Sequence, residues 1–185
     1  MNVYDFDGTI YDGDSSVDFF LYALKRKPSL LFYILRQAWG FLLYGMKRIS
    51  KTELKEYFFS FLSGLDAEKL AEDFWDQNHR KIYKWYLDQQ HPDDIIISAS
   101  PEFLLQPICS RLEIRHLIAS KVDPETGMFA GENCRGQEKV RRLEVEYRIT
   151  HIDSFYSDSQ SDLPLAQIAD KAFLVVNGDL RKWEK

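Results

Sequence analysis

Residues 2–9 read Asn2-Val3-Tyr4-Asp5-Phe6-Asp7-Gly8-Thr9, and this stretch decides the fold. The run over residues 2–6 predicts a short β-strand, and the acidic, glycine-containing turn that follows ends it. In an open parallel sheet, ligands collect beyond the carboxyl ends of the strands. Polar residues at the end of each later strand are therefore the next place to look for chemistry.

The chain beyond residue 90 alternates predicted strands with predicted helices. The strands are expected at 95–97, 116–120, 152–156 and 172–176, and the helices at 101–112, 137–147 and 163–169. This alternation predicts an α/β fold with a Rossmann-like, mostly parallel sheet covered by helices on both faces.

Residues 14–89 differ from the rest of the chain because they read as helical almost throughout. The predicted helices cover 16–26, 29–46, 51–63 and 66–88. We therefore expect a catalytic core made of residues 1–13 and 90–185, with residues 14–89 inserted as a helical cap.

Composition excludes several classes of protein. The 185 residues carry a net charge of −5, which argues against a nucleic-acid-binding protein. Two cysteines are too few for a disulfide framework, and the acidic, polar start of the chain is unlike a secretory leader, so a cytoplasmic location is expected. The apolar stretch within residues 30–46 is interrupted by Arg36, Gly40 and Gly45, which disfavours a membrane-spanning helix.

Carboxylates, hydroxyls and one ammonium group are expected to converge on a single edge of the predicted sheet. They belong to Asp5, Asp7, Ser98, Lys139, Ser157, Asp158 and Asp162. Clustered carboxylates repel one another unless a cation joins them, and oxygen ligands suit Mg²⁺. One aspartate can then attack phosphorus while a second transfers protons. Gly8 lets the backbone curl so that its amides point at a phosphate.

This ordered set of motifs resembles the haloacid dehalogenase superfamily, on its phosphatase side. The resemblance implies that Asp5 is the nucleophile and that Asp7 is the general acid and base. Asp162 would support either the metal ion or Lys139. The predicted phosphate-binding residues are Gly8, Thr9, Ser98, Ala99 and Lys139, and the predicted Mg²⁺ ligands are Asp5, Asp7 (through its backbone carbonyl), Asp158 and Asp162.

The inserted segment resembles the helical cap of the phosphoserine phosphatase branch. An acidic residue nine positions after the nucleophile recognises the substrate amine in that branch, and Asp14 has this spacing. A role as the N-cap of the next helix explains Asp14 equally well. Ser98-Ala99-Ser100 replaces the usual Ser-Gly-Gly of the branch. Bacterial phosphatidylglycerophosphatases are similar in having an aspartate at this spacing and a long apolar cap.

The cap has a charge pattern of its own. Between Phe19 and Thr52 there are seven basic residues and no acidic residue. Such a basic, aromatic segment either lies on an anionic membrane surface or forms a compact cap whose lysines attract an anionic substrate. The sequence thus predicts a Mg²⁺-dependent phosphatase acting on a small anionic metabolite such as phosphoserine. The alternatives are a phospholipid phosphatase and a non-enzymatic protein that binds anions or membranes.

Overall fold

The computed structural model describes residues 1–184 and contains one six-stranded sheet. The strands are β1 (Asn2–Tyr4), β2 (Ile95–Pro101), β3 (His116–Ser120), β4 (Ile152–Ser157), β5 (Ala169–Val176) and β6 (Asp179–Lys182). Their order is β3-β2-β1-β4-β5-β6, with β6 antiparallel to β5 and all other neighbours parallel. The predicted α/β class with a mostly parallel sheet is confirmed.

Eight α-helices accompany the sheet in residues 1–184. Five of them lie between β1 and β2: α1 (Ser15–Arg26), α2 (Leu31–Gly45), α3 (Lys51–Phe59), α4 (Ala67–Asn78) and α5 (Lys84–Leu87). The other three are α6 (Glu102–Arg111), α7 (Gln137–Tyr147) and α8 (Leu163–Gln167). Among the described residues, no helix combines the length and the apolar composition needed to cross a membrane.

Polar side chains fix where the cap helices begin. Asp14 accepts a hydrogen bond from the backbone of Val17 at the start of α1. Ser50 and Glu53 form a reciprocal capping box at the start of α3. Each of these contacts satisfies backbone N–H groups that the first helical turn leaves without partners.

The cap and one face of the sheet share a single apolar core. Phe19 on α1 and Trp75 on α4 are fully buried, as is Leu104 on α6. The indole nitrogen of Trp75 donates to the carbonyl of Leu104 at 2.6 Å, which ties α4 to α6. Buried aromatic residues of α1, α3 and α4, such as Phe19, Phe59 and Trp75, therefore pack the cap against the sheet and α6.

The structure differs most from the sequence prediction at two elements, while β2, β5 and α3 differ in their bounds. The helix predicted over 66–88 ends at Asn78, because Ile82 pairs with Tyr11 in the loop after β1 and this pairing competes with helical hydrogen bonds. Strand β6 was not predicted because all four of its residues are exposed and show no apolar alternation. Asn177 and Gly178, both with positive φ, form the turn that makes this hairpin.

Candidate active site

The loop after β1 carries the two aspartates of the first motif. The carbonyl of Phe6 accepts from the backbone amides of Thr9, Ile10 and Tyr11, which curls the chain immediately after Asp5. Gly8 has φ +68°, and a Cβ atom there would lie 2.3 Å from Oδ2 of Asp158. Glycine at this position therefore allows both the turn and the close approach of the Asp158 carboxylate.

Lys139 bridges two buried carboxylates. Its Nζ donates to Oδ1 of Asp5 at 2.7 Å and to Oδ2 of Asp162 at 2.6 Å. Burial alone would lower the pKa of Lys139, but Asp5 and Asp162 outweigh burial and raise it, so the ammonium stays charged. Ser157 also donates to Oδ2 of Asp162 at 2.9 Å. Of the two roles considered for Asp162, these contacts favour support of Lys139.

Asp7 is oriented by two donors from different elements. The backbone amide of Ser15, at the start of α1, donates to Oδ1 at 2.7 Å, and the hydroxyl of Ser100, on β2, donates to Oδ2 at 2.5 Å. The sequence places Ser100 at the end of a predicted strand, but its role in orienting Asp7 was not predicted. The available signal was its spacing of two residues from Ser98, which places the two side chains on the same face of a strand.

The site holds more negative than positive charge. Burial raises the pKa of Asp5 to about 7 against the lowering effect of the Lys139 ammonium. Burial, followed by repulsion from Asp14, raises the pKa of Asp7 to about 6, although its two hydrogen bonds oppose this. Burial also raises the pKa of Asp158. In all three carboxyl groups, the loss of solvation on burial outweighs the groups that stabilise the ionised form.

This donor set fits a hard divalent cation. Its side chains offer only carboxylate oxygens, and the carboxyl groups of Asp5 and Asp158 lie close enough to interact. Oδ1 of Asp162 is buried and has no hydrogen-bond partner within residues 1–184. Across those same residues, however, no three His, Cys, Asp or Glu side chains are already arranged as a metal site. The ligand roles of these aspartates therefore stay a prediction.

A cleft of about 390 Å³ unites most of the predicted site residues. Its walls include Asp5, Asp7, Asp14, Ser98, Ala99, Lys139, Asp158 and Asp162.

The predicted phosphate ligands Gly8 and Thr9 are not part of this lining. Gly8 packs against the side chain of Asp158. The backbone amide of Asp158 donates a hydrogen bond to Oγ1 of Thr9 at 2.9 Å. Both residues thus position Asp158. Asp14 lines the cleft as well as capping α1, so the geometry is compatible with both of its suggested roles.

The cap contributes a second wall that sequence reasoning did not identify. Lys51, Leu54, Lys55 and Phe58 from α3 line the cleft, together with Arg135 from the core. Nζ of Lys55 donates to the carbonyl of Ala99 at 2.6 Å and to Oδ1 of Asn133 at 3.1 Å. Burial lowers its pKa to about 8, even though Asp7 and Asp14 act in the opposite direction. A lysine on an amphipathic helix is ordinarily exposed, so only tertiary packing reveals this one.

Comparison with known proteins adds a family and a fold relationship. The sequence profile of the haloacid dehalogenase-like hydrolases matches residues 3–167. A probable phosphatase of Mycobacterium tuberculosis is 36% identical in an alignment 100 residues long that covers 49% of this chain and 34% of that protein. A histidinol-phosphatase of Neisseria meningitidis serogroup C is 28% identical in an alignment 150 residues long that covers 72% of this chain and 63% of that protein.

A solved structure has the same architecture. The crystal structure of a probable phosphoserine phosphatase from Vibrio cholerae superposes with a TM-score of 0.64 at 13% identity, covering 92% of this chain and 55% of that chain. The predicted likeness to the phosphoserine phosphatase branch is thereby confirmed at the level of the fold. The chain spans between 34% and 63% of the length of the curated relatives that it matches.

Proposed function

Since this chain belongs to the haloacid dehalogenase-like hydrolases, we propose that it is a Mg²⁺-dependent phosphomonoester hydrolase in which Asp5 is phosphorylated during turnover. The observation that carries this proposal is the pairing of Asp5 with the buried ammonium of Lys139 at 2.7 Å, next to an Asp7 carboxylate held by two donors. The proposed nucleophile Asp5, its cationic partner Lys139 and the proposed proton donor Asp7 thus line the same cleft.

In the first half of the reaction, a carboxylate oxygen of Asp5 attacks phosphorus and the bond from phosphorus to the ester oxygen breaks. Asp7 in its protonated form donates its proton to the departing alkoxide, which leaves as an alcohol. In the second half, Asp7 accepts a proton from the water that attacks the acyl phosphate. Inorganic phosphate is released, and both aspartates return to their starting state.

Ser100 and Ser15 serve this sequence by holding Asp7. The hydroxyl of Ser100 and the amide of Ser15 each satisfy one carboxyl oxygen, so the side chain cannot swing away from the cleft without losing a bond. Lys139 lowers the charge repulsion between Asp5 and an incoming phosphate dianion.

Asp5, Asp158 and the backbone carbonyl of Asp7 would hold the Mg²⁺ ion. When bound, the ion supplies positive charge that screens the phosphate oxygens from the carboxylates. Asp162 acts on the other side of the site by holding Lys139.

The cleft favours a small substrate that is itself anionic or carries a further polar group. Lys51, Lys55 and Arg135 supply positive charge, whereas Leu54 and Phe58 supply apolar surface for a short carbon chain. Phosphoserine or a related amino-acid-like phosphate fits this combination, with Asp14 available to a substrate amine. The histidinol-phosphatase relative supports this class, since its name indicates a small phosphate ester.

A phospholipid phosphate is a second candidate, favoured by one observation. Phe41 on α2 lines the cleft while 57% of its surface is exposed, so an apolar path leads from the catalytic residues to the outside of the cap. A purely non-enzymatic role is disfavoured, because the arrangement of Asp5, Asp7 and Lys139 exceeds what anion binding requires.

The Asp5→Asn variant tests the proposal. With Mg²⁺ and a generic aryl phosphate, we expect turnover to fall at least about 1,000-fold, because the amide cannot act as the nucleophile. Asp12→Asn is the matched control, since Asp12 is an exposed aspartate of the same loop and should leave turnover near the wild-type value. Wild-type turnover by folded Asp5→Asn protein would refute the proposed nucleophile.

The substrate class is tested on the wild-type protein with a panel of phosphate esters. The panel contains phosphoserine, histidinol phosphate, sugar phosphates, nucleotides and phosphatidylglycerol phosphate. Highest kcat/KM for an amino-acid-like phosphate would support the first candidate. A clear preference for the phospholipid would support the second candidate and count against the first.

A further inference from the structure

Helix α2 is attached to the molecule by one narrow face. Gln37 and Gly40 are its only buried residues. The side-chain amide of Gln37 donates to the carbonyl of Phe58 at 3.0 Å. A Cβ atom on Gly40 would lie 2.5 Å from Cβ of Tyr57, so the two helices approach closely at this point. Tyr33 and Leu43 are half-buried, and the remaining residues of α2 are exposed.

The opposite face of α2 is apolar and exposed. We define the apolar stripe as Leu31, Phe32, Leu35, Trp39, Leu42 and Met46, each at least half exposed. Phe32 is 81% exposed and Leu35 is 78% exposed. At 100° per residue these positions fall on one side of the helix. Monomeric soluble proteins rarely expose contiguous apolar surface of this kind, and such surface commonly marks an interaction site.

Basic residues flank the apolar stripe along the chain and also occur within α2. We define the basic rim as the exposed residues Lys25, Arg26, Lys27, Arg36, Lys47 and Arg48. None of the six forms a salt bridge with another described residue. Because residues 20–51 contain no acidic side chain, nothing on this part of the chain neutralises the rim.

Charge distinguishes between the two occupants that could cover the apolar stripe. A second copy of the chain would bring two basic rims together, and their like charges would repel across the interface. An anionic bilayer offers an apolar interior to the stripe and negative headgroups to the rim. Each basic residue near such a surface adds about 1 kcal/mol of attraction, while buried leucine, phenylalanine and tryptophan side chains add the hydrophobic part.

We propose that the apolar stripe and the basic rim of α2 bind the surface of an anionic lipid bilayer, with the helix lying in the plane of the headgroups. Phe41, on the same helix, lines the catalytic cleft. The helix that carries the apolar stripe therefore also forms part of the wall of the cleft. Binding would hold the catalytic residues close to the bilayer whatever the substrate.

Co-sedimentation of the full chain with vesicles tests this inference without any measurement of turnover, so its failure leaves the proposed hydrolysis untouched. At low salt, we expect the protein to pellet with phosphatidylglycerol-containing vesicles and to stay in the supernatant with pure phosphatidylcholine vesicles. Higher salt should release it, because screening weakens the attraction between the rim and the headgroups.

Two double variants, each with a matched control, separate the contribution of the apolar stripe to membrane binding from that of the basic rim. Leu35→Glu with Trp39→Glu should abolish pelleting, whereas Val145→Glu with Leu180→Glu, which adds the same charge at exposed apolar positions far along the chain, should pellet like wild type. Lys25→Gln with Arg48→Gln should lower the partition coefficient about 30-fold, since each lost charge removes about 1 kcal/mol. The control Lys171→Gln with Lys182→Gln should leave it unchanged. Circular dichroism verifies that each variant is folded.

Three results would overturn the inference. The first is wild-type protein that stays in the supernatant with anionic vesicles at low salt. The second is undiminished pelleting of folded Leu35→Glu/Trp39→Glu protein. The third is a dimer in sedimentation equilibrium that this double variant dissociates, since a second copy would then cover the apolar stripe.

Discussion

At the scale of single residues, the site depends on charges that are buried but paired. Lys139 is 2% exposed and contacts both Asp5 and Asp162, so each carboxylate near it has a cationic neighbour. The position of Lys139 in the sequence indicated its role only through the order of the motifs, because its surroundings in the sequence are those of a solvated helix face. Its burial follows from the packing of α7 against the sheet.

Lys55 gives the site a pH dependence that can be measured. Its pKa of about 8 means that the ammonium loses its proton as the pH rises through that value. We therefore expect KM for an anionic phosphate ester to be lowest below pH 8 and to rise above it, because the charged form attracts the substrate. In Lys55→Met, KM should be about tenfold or more higher than in the wild type at pH 7. The KM of this variant should no longer increase above pH 8.

Lys171→Met is the control for this experiment, since Lys171 is exposed on β5, outside the lining of the cleft. It should retain the wild-type KM and pH profile. A Lys55→Met protein whose KM keeps the wild-type pH profile would show that Lys55 does not contact the substrate.

At the scale of elements, the turn after β1 does most to position the chemistry. Its sequence predicted a tight acidic turn, and the structure confirms that it curls around the carbonyl of Phe6. What the sequence could not predict was the close packing of Gly8 against Asp158, the residue that follows β4. That packing depends on the pairing of β1 with β4, which is a long-range feature.

Gly8→Ala tests this packing. The added methyl group would meet the Asp158 carboxylate, and alanine would be strained by about 1–2 kcal/mol at a positive φ. We expect lower stability in urea unfolding and a steep loss of turnover. Gly45→Ala is the matched control, because a Cβ at Gly45 meets nothing within 4 Å. Equal behaviour of the two variants would contradict the positioning role of Gly8.

The helical segment shows the limits of sequence reasoning at this scale. The N-cap role considered for Asp14 is confirmed at the start of α1, and α3 begins at residue 51 as predicted. The end of α4 at Asn78 was not predictable from propensity, since it results from the pairing of Ile82 with Tyr11. The wall of the cleft formed by Lys55 was missed for the same reason, as it requires α3 to dock on the core.

At the scale of the whole molecule, the net charge of −5 conceals two unlike regions. Acidic residues gather at the carboxyl edge of the sheet, whereas basic residues predominate on α1, α2 and their connections. The sequence alone revealed this separation. It could not reveal that Phe19, Phe59 and Trp75 are buried while the apolar stripe of α2 is exposed, because both groups have similar local patterns.

The excess of carboxylates predicts that Mg²⁺ stabilises the fold. An ion that binds the native state at a concentration 100 times its Kd adds about 2.7 kcal/mol to the free energy of unfolding. Thermal unfolding should therefore shift upward with added Mg²⁺. The shift should be lost in Asp158→Asn and retained in Asp179→Asn, an exposed control on β6. An equal shift in both variants would exclude Asp158 as a ligand.

The most direct measurement is the mass of the Asp5-containing peptide after wild-type protein is quenched in acid during turnover of an aryl phosphate. We expect a fraction of this peptide to carry one added phosphoryl group, which disappears once the substrate is exhausted and is absent from Asp5→Asn protein. Labelling of a different residue, or turnover by Asp5→Asn at the wild-type rate, would contradict phosphorylation of Asp5 as the central step.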